Sequence, residues 1–238
     1  ACGRTQGDSE GCVRLDLSKG KQFIMEKMTE FFEKRIEEYD SHMLAEVAGC
    51  CEGYRKMAEL LRPDTKTLLD LGCGTGLELD EIYRRFPDMQ VVGGDLTQAM
   101  LDRLKQKHPD KRLTLICGDY FQAEFGEEQF DAAVSFETMH HFAHAPKRAL
   151  YQKIYTALKT DGVYLECDYM VETQEEEDAL YAERVRLHRE FTAEPDTFYH
   201  IDTPCTVENQ IRLLQEAGFS SVKLMFRLEN TTLLLAKK

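Results

Sequence analysis

From about Lys21 to Leu61 the apolar residues of this chain recur at helical spacing: Phe23, Ile24, Met28, Phe31, Phe32 and Ile36, then Met43, Leu44 and Val47, then Met57, Leu60 and Leu61. Pro63 closes that opening, because proline is poorly tolerated beyond a helix's first turn. Short apolar runs then alternate with helical stretches. TLLDL (67–71) precedes a helix near 77–86, and VVGGD (91–95) precedes one near 97–107. LTLIC (113–117) and AAVSF (132–136) follow, and a helix near 147–158 leads into VYLEC (163–167). Pro87, Gly93-Gly94, Pro109, Gly126 and Asp161-Gly162 punctuate the joints. Such alternation predicts an α/β fold, with a doubly wound, mostly parallel sheet covered on both faces.

Two stretches fall outside this rhythm. Residues 1–20 are glycine-rich and polar, which predicts a loose N-terminal arm. Between Asp168 and Thr206 the interruption is too long for a simple connection, so 170–205 is expected to form an inserted lid, as 21–62 forms a helical cap. The insertion carries an acidic helical piece whose Glu175–Asp178 run reads as a solvated helix N-terminus. A helix over 206–217 and two apolar runs, VKLMFR and TTLLLA, end the chain as an antiparallel hairpin.

The chain has 238 residues, with 43 Asp and Glu against 30 Lys and Arg and a formal charge of −13. That length accommodates one large domain, expected over 21–238. The acidic balance disfavours a duplex-binding surface, which needs clustered basic residues. No apolar stretch approaches the roughly 20 residues of a membrane helix. Eight scattered cysteines without CxxC, and no basic-then-apolar leader in the sequence as it stands, suggest reduced thiols and a cytoplasmic setting. Oligomeric state stays open, a homodimer being one option.

Chemistry enters at TLLDLGCGTG, where Gly72, Gly74 and Gly76 follow a strand and precede a helix, so that backbone amides can approach a ligand closely. Asp95 ends the next strand, where a carboxylate can accept both hydroxyls of a ribose. Asp119, after the third strand and beside Tyr120, can reach an adenine amino group. The third glycine comes one residue too early for a dinucleotide fingerprint, no basic residue lies in the loop, and no GK[ST] follows. Asp70 would repel a diphosphate and could receive an ammonium group. A cationic, amino-acid-bearing nucleoside, S-adenosylmethionine, satisfies these constraints.

At these residues the chain resembles the class I S-adenosylmethionine-dependent methyltransferases. The resemblance runs from about residue 36 to the end, through LLDLGCGTG, VVGGDLTQAML, LICGDYF, FDAAVSFETMHHF and LKTDGVYLE. It implies a Rossmann-like sheet of seven strands with the last antiparallel. It further implies that Gly72, Cys73, Gly74 and Gly76 hold the methionine portion, that Asp95 and Leu96 hold the ribose and adenine, and that Asp119 and Tyr120 hold the base. Tyr39 would close over the cofactor, and Ser135 would lie beneath the sulfonium. The C-terminal part, including Val207-Glu208, AGF at 217–219 and the final LLLAKK, looks like carboxy-S-adenosylmethionine synthases, which transfer a carboxyl unit from prephenate for tRNA wobble-uridine modification. Two positions depart from that family: its fourth-strand asparagine is Ser135 here, and its carboxylate-binding arginine has no counterpart in Pro195–Pro204. Methyl transfer to a small molecule is therefore the first expectation, carboxyl transfer the alternative, and a non-catalytic cofactor-binding module a third.

Methyl transfer gains mostly from alignment in a dry site, and a base is needed only when the acceptor must lose a proton. His140 and His141 follow the fourth strand, near where an acceptor would sit, and are the catalytic candidates. His140 and His144 have metal-compatible i, i+4 spacing, and Glu137, Glu166 and Asp168 sit at strand ends, yet pocket-wall or packing roles are the simpler reading and no metal is expected. Tyr199-His200 and Asp202 would reach the substrate if the insertion closes as a lid. Pro204-Cys205 lies in the wrong place for the thiolate of cytosine C5 methylation.

Overall fold

The computed structural model describes residues 26–191, 194 and 197–238; the arm expected over 1–20 lies outside them. Two helices, α1 (Met28–Ala45) and α2 (Cys50–Leu60), open the described chain. There follow β1 (Thr67–Leu71), α3 (Leu77–Arg85), β2 (Gln90–Asp95), α4 (Gln98–Lys107), β3 (Arg112–Cys117), β4 (Phe130–Phe136), α5 (His144–Ala157) and β5 (Leu158–Tyr169). α6 (Gln174–Glu190), α7 (Val207–Glu216), β6 (Ser221–Leu228) and β7 (Thr231–Lys237) complete the order. The sheet runs β3-β2-β1-β4-β5-β7-β6, parallel throughout except for β7, which inserts antiparallel between β5 and β6. The fold is thus the expected seven-stranded doubly wound sheet with its last strand reversed.

Period-two alternation explains why the strands read as continuous apolar runs. Leu68, Val91, Ala132, Val134, Leu165 and Leu233 pack under α2, α3 and α4. Leu69, Leu71, Ala133, Tyr164 and Leu234 pack under α5 and α7. The helical opening is broken between α1 and α2, where Gly49 has φ of +88° and a Cβ would meet Thr231 and Leu228 of the terminal hairpin. Thr231 Oγ1 donates to the Ala48 carbonyl at 2.7 Å, which docks the break onto β7. The insertion meets the helical cover directly. Tyr199 bridges Lys27, Met28 N–H donates to Phe198 O (2.9 Å), and His200 N–H donates to Glu26 O (3.0 Å).

One sequence reading of the insertion needs correcting. Glu177, in the first turn of α6, is not solvated; its carboxylate turns inward and accepts from Thr206 N (2.5 Å), Asn209 Nδ2 and His144 Nε2 (2.7 Å). It ties the first turn of α6 to the start of α7, a job the charge run could not reveal.

A second, partly exposed carboxylate staples the sheet. Asp131 accepts from Lys66 N–H (2.9 Å), Thr67 N–H (2.9 Å), Thr67 Oγ1 (3.0 Å) and Lys159 Nζ (2.8 Å), locking β1 to β4. Burial works against its charge, yet Lys159 and these donors outweigh it and lower the carboxyl to about 2. A depressed folded pKa stabilises above the ordinary carboxyl value, and the gain is lost as pH falls through about 2. Asp131→Ala is expected to lower unfolding stability by about 2 kcal/mol near neutral pH in urea titration. An unchanged midpoint would count against the clamp.

Candidate active site

The carboxyl ends of β1, β2, β3 and β4 open into a cavity beneath α1 and the insertion, as expected where strand order reverses in such sheets. Its wall includes Gly72 and Gly74 from the first loop, Asp95, Leu96 and Thr97 after β2, and Gly118, Asp119, Tyr120 and Phe121 after β3. Phe136, Glu137, Thr138, His141 and Phe142 come from the end of β4, and Met28, Phe32, Tyr39 and Phe198 form the roof. Its empty space, mouth included, is about 590 Å³.

The glycine loop is shaped by its neighbours. Gly72 has φ of +71° and a Cβ there would lie 2.8 Å from Thr138 Cβ, whereas Gly74, with φ of +46°, has nothing nearer than the Tyr39 hydroxyl at 3.8 Å. A Cβ on Gly118 would meet no atom within 4 Å, so the cavity comes up to bare backbone there. Asp95 accepts from Gly74 N–H (3.0 Å) and Thr97 N–H (2.8 Å), which fixes its carboxylate against the loop. Burial raises Asp95 to about 6, held down in part by those amides. Its four acceptor sites leave two for a ligand diol. Asp119 accepts from Phe121 N–H (2.8 Å) with one oxygen, and Tyr120 Oη lies 3.1 Å from Thr138 Oγ1.

Four sequence candidates stand elsewhere, for reasons of strand alternation and loop packing. Asp70 faces the α3 layer, fully buried, where burial and Glu78 raise its carboxyl well above the usual range. Cys73 packs under Gly93, and Gly76 caps α3 against Leu104. Ser135 points into the α5 and α7 layer and meets Tyr164 Oη at 2.7 Å; the next three residues, Phe136, Glu137 and Thr138, reach the cavity instead. Phe32, Phe198 and Gly118 are wall residues the sequence did not single out, since bare apolar side chains and a lone glycine carry no signal of their own.

A second, wider cavity, with about 1430 Å³ of empty space including its mouth, adjoins the first and shares Phe32, Tyr39, Glu137 and His141 with it. Its remaining wall includes Phe31, Arg35, His42, Met43, His140, His200 and Asp202. Glu137 sits where β4 ends, at a left-handed φ of +48°, a strained conformation of the kind concentrated at functional sites. Burial raises its carboxyl to about 8, against the pull of His140. His140 Nδ1 pairs with Asp168 Oδ1 at 2.6 Å; burial opposes its charge, but Asp168, Asp202 and Glu137 prevail and raise it to about 9. Burial and His140 lower His141, whose Nδ1 is 3.3 Å from Asp202 Oδ1. His200 stacks on Phe31 at 3.5 Å, and burial lowers it to about 3.

Other candidates are structural. His144 begins α5 and is spent on Glu177, so it does not share a face with His140. Cys205 is buried against Lys147 Nζ at 3.3 Å, and Cys167 lies in the core. Tyr199 is buried beside Leu187 and Ile201, its hydroxyl accepting from Glu194 N–H.

The donor set fits S-adenosylmethionine: Asp95, Asp119 and Glu137 line the first cavity and, among the described residues, no Lys or Arg does. A cationic nucleoside suits that wall; a pyrophosphate does not. Over residues 68–162 the chain matches a family model described as a methyltransferase domain. It is similar to a carboxy-S-adenosyl-L-methionine synthase of Nautilia profundicola, 23% identical over 227 residues that span 90% of this chain and 96% of that protein. Among solved structures it superposes on a DhpI–SAM–HEP complex (TM-score 0.66, 15% identity, 88% of this chain and 95% of that one). It also superposes on human N-acetylserotonin methyltransferase with SAM (TM-score 0.62, 18% identity, 88% of this chain and 58% of that one). Among the described residues no helix is long and apolar enough to cross a membrane.

Proposed function

We propose that the chain transfers a methyl group from S-adenosylmethionine to a small-molecule acceptor seated in the second cavity. The carrying observation is the pair of adjoining cavities joined at Phe32, Tyr39, Glu137 and His141. When bound, S-adenosylmethionine supplies a methyl group on a cationic sulfur. Asp95 accepts the ribose hydroxyls, Leu96 and Phe121 flank the base, Asp119 receives its amino group, and Gly74 leaves room for the amino-acid portion. Tyr39 and Phe32 separate this site from water, and His140 and His141 act on the acceptor. The described parts of the helical cap and of the insertion enclose it. The −13 charge and the acidic wall favour a small molecule over nucleic acid.

Carboxyl transfer is the second reading, supported by the length over which the Nautilia relative aligns. A carboxylated cofactor needs a cation near its new charge; the described wall of the first cavity offers neither Lys nor Arg, and the adjoining cavity offers Arg35 and His140. Incubation with methyl-labelled cofactor and pooled hydroxyl, amine and carboxyl acceptors, read by mass spectrometry, is expected to give labelled methylated product. A carboxylated cofactor formed with prephenate would favour the second reading. Cofactor binding without turnover in either arm would favour a non-catalytic module.

A further inference from the structure

We propose that His140, His141 and Asp202 form a site for one divalent first-row transition-metal ion at the edge of the second cavity. Their ligand atoms converge within 4.8 Å of one another. Asp202 Oδ1 lies 3.6 Å from His140 Nε2 and 3.3 Å from His141 Nδ1. Donors bound to one ion at about 2.0–2.2 Å stand roughly 3–3.5 Å apart, so the two spacings to Asp202 need little adjustment, and the imidazole nitrogens, within 4.8 Å, close on the same point. His141 Nδ1 is buried beside the Asp202 carboxylate, with which it shares one polar pocket.

The surroundings hold this triad in place. His140 presents its other nitrogen, Nδ1, to Asp168 Oδ1 at 2.6 Å, the outer carboxylate that fixes the tautomer of a metal-binding imidazole. Asp168 in turn accepts from Tyr169 N–H at 3.0 Å. Thr203, next to Asp202, donates its N–H (2.6 Å) and Oγ1 (3.1 Å) to the His140 carbonyl, so the two ligand-bearing segments are stapled together. Arg184 Nη1 donates to the His141 carbonyl at 2.9 Å. Two imidazoles and one carboxylate suit zinc, cobalt, nickel or ferrous iron better than magnesium or calcium, which prefer all-oxygen sets.

Two nearby clusters are weaker. In Glu137, His140 and Asp168 the 2.6 Å approach is a hydrogen bond, shorter than two ligands of one ion stand apart. In His144, Glu177 and Cys205 the carboxylate is taken by Thr206 and Asn209 and the thiol by Lys147. Three protein ligands leave coordination positions open, and the second cavity is where they face. An acceptor oxygen or nitrogen would bind there, beside the first cavity that His141 also lines. That role for the open positions rests on the transfer reading above; binding of the ion does not.

The test uses the full chain, stripped with a chelator and titrated with Co2+ alone, then with Zn2+ in competition. One ion per chain is expected, with ligand-field absorption that zinc removes and paramagnetically shifted ring N–H resonances from two histidines. His141→Ala and Asp202→Ala should each weaken the affinity at least about tenfold, as should Asp168→Asn through its loss of orientation, while His144→Ala leaves it unchanged. Wild type that binds no ion saturably would overturn the site, as would a cobalt complex without two shifted histidines. Wild-type affinity retained by both alanine variants would do the same. Calorimetry with S-adenosylhomocysteine on the same samples reports folding and the cofactor site, so a missing ion and a failed transfer reading give different results.

Discussion

Asp95→Ala is expected to raise the dissociation constant for S-adenosylhomocysteine at least about 100-fold. The residue offers two charge-assisted hydrogen bonds to a ribose, each worth about 1.5–3 kcal/mol, and about 1.4 kcal/mol is tenfold in affinity. Its removal also strips Gly74 and Thr97 of the acceptor that holds the loop. Asp95→Asn keeps the shape and one acceptor oxygen, so it should fall between the two. Burial adds a pH signature. The free carboxyl titrates near 6, and the ligand requires the ionised form, so a proton competes as pH falls through that value. Wild-type affinity should be flat above it and weaken by up to about tenfold per pH unit below it. Asp95→Asn should lose that dependence. A profile unchanged in Asp95→Asn would assign the titration to another group.

Gly72→Ala should be considerably more damaging than Gly74→Ala. Its φ of +71° is strained for any residue with a Cβ, at about 1–2 kcal/mol, and the added atom would stand 2.8 Å from Thr138 Cβ. Thr138 cannot swing aside cheaply, because Tyr120 Oη engages its hydroxyl. A total of about 3 kcal/mol corresponds to a fall in Tm of roughly 6–12 °C for a chain of this size. Gly74→Ala carries the same kind of backbone strain but no clash, with its nearest neighbour at 3.8 Å. It should lose roughly 1–2 kcal/mol of stability while narrowing the cavity. Equal losses of Tm in the two variants would contradict the packing described at Gly72.

The contrast between those glycines marks what sequence could and could not convey. Strand ends are readable from apolar runs and their glycine joints, so Asp95, Leu96, Asp119 and Tyr120 fall on the cavity wall where the pattern put them. Alternation within a strand is harder, because a sheet buried on both faces shows no polar side. Asp70 and Ser135 each point into a helical layer, which the run of apolar neighbours conceals. The i, i+4 spacing of His140 and His144 presumes one continuous helix. Instead a short 3-10 turn over Met139–His141 ends before α5 begins at His144. The residues that meet His140 come from the insertion and the end of β5, as Asp202 and Asp168. Phe32 and Phe198 arrive from the cover and the insertion, joined by backbone bridges that leave no periodic trace.

The central claim is that the cavity at the carboxyl edge of the sheet holds S-adenosylmethionine. Calorimetric titration of the wild-type chain with S-adenosylhomocysteine, near neutral pH, tests it most directly. One-to-one binding in the micromolar range, lost in Asp95→Ala, is the expected result. Absence of binding by folded wild type, or wild-type affinity in Asp95→Ala, would contradict it.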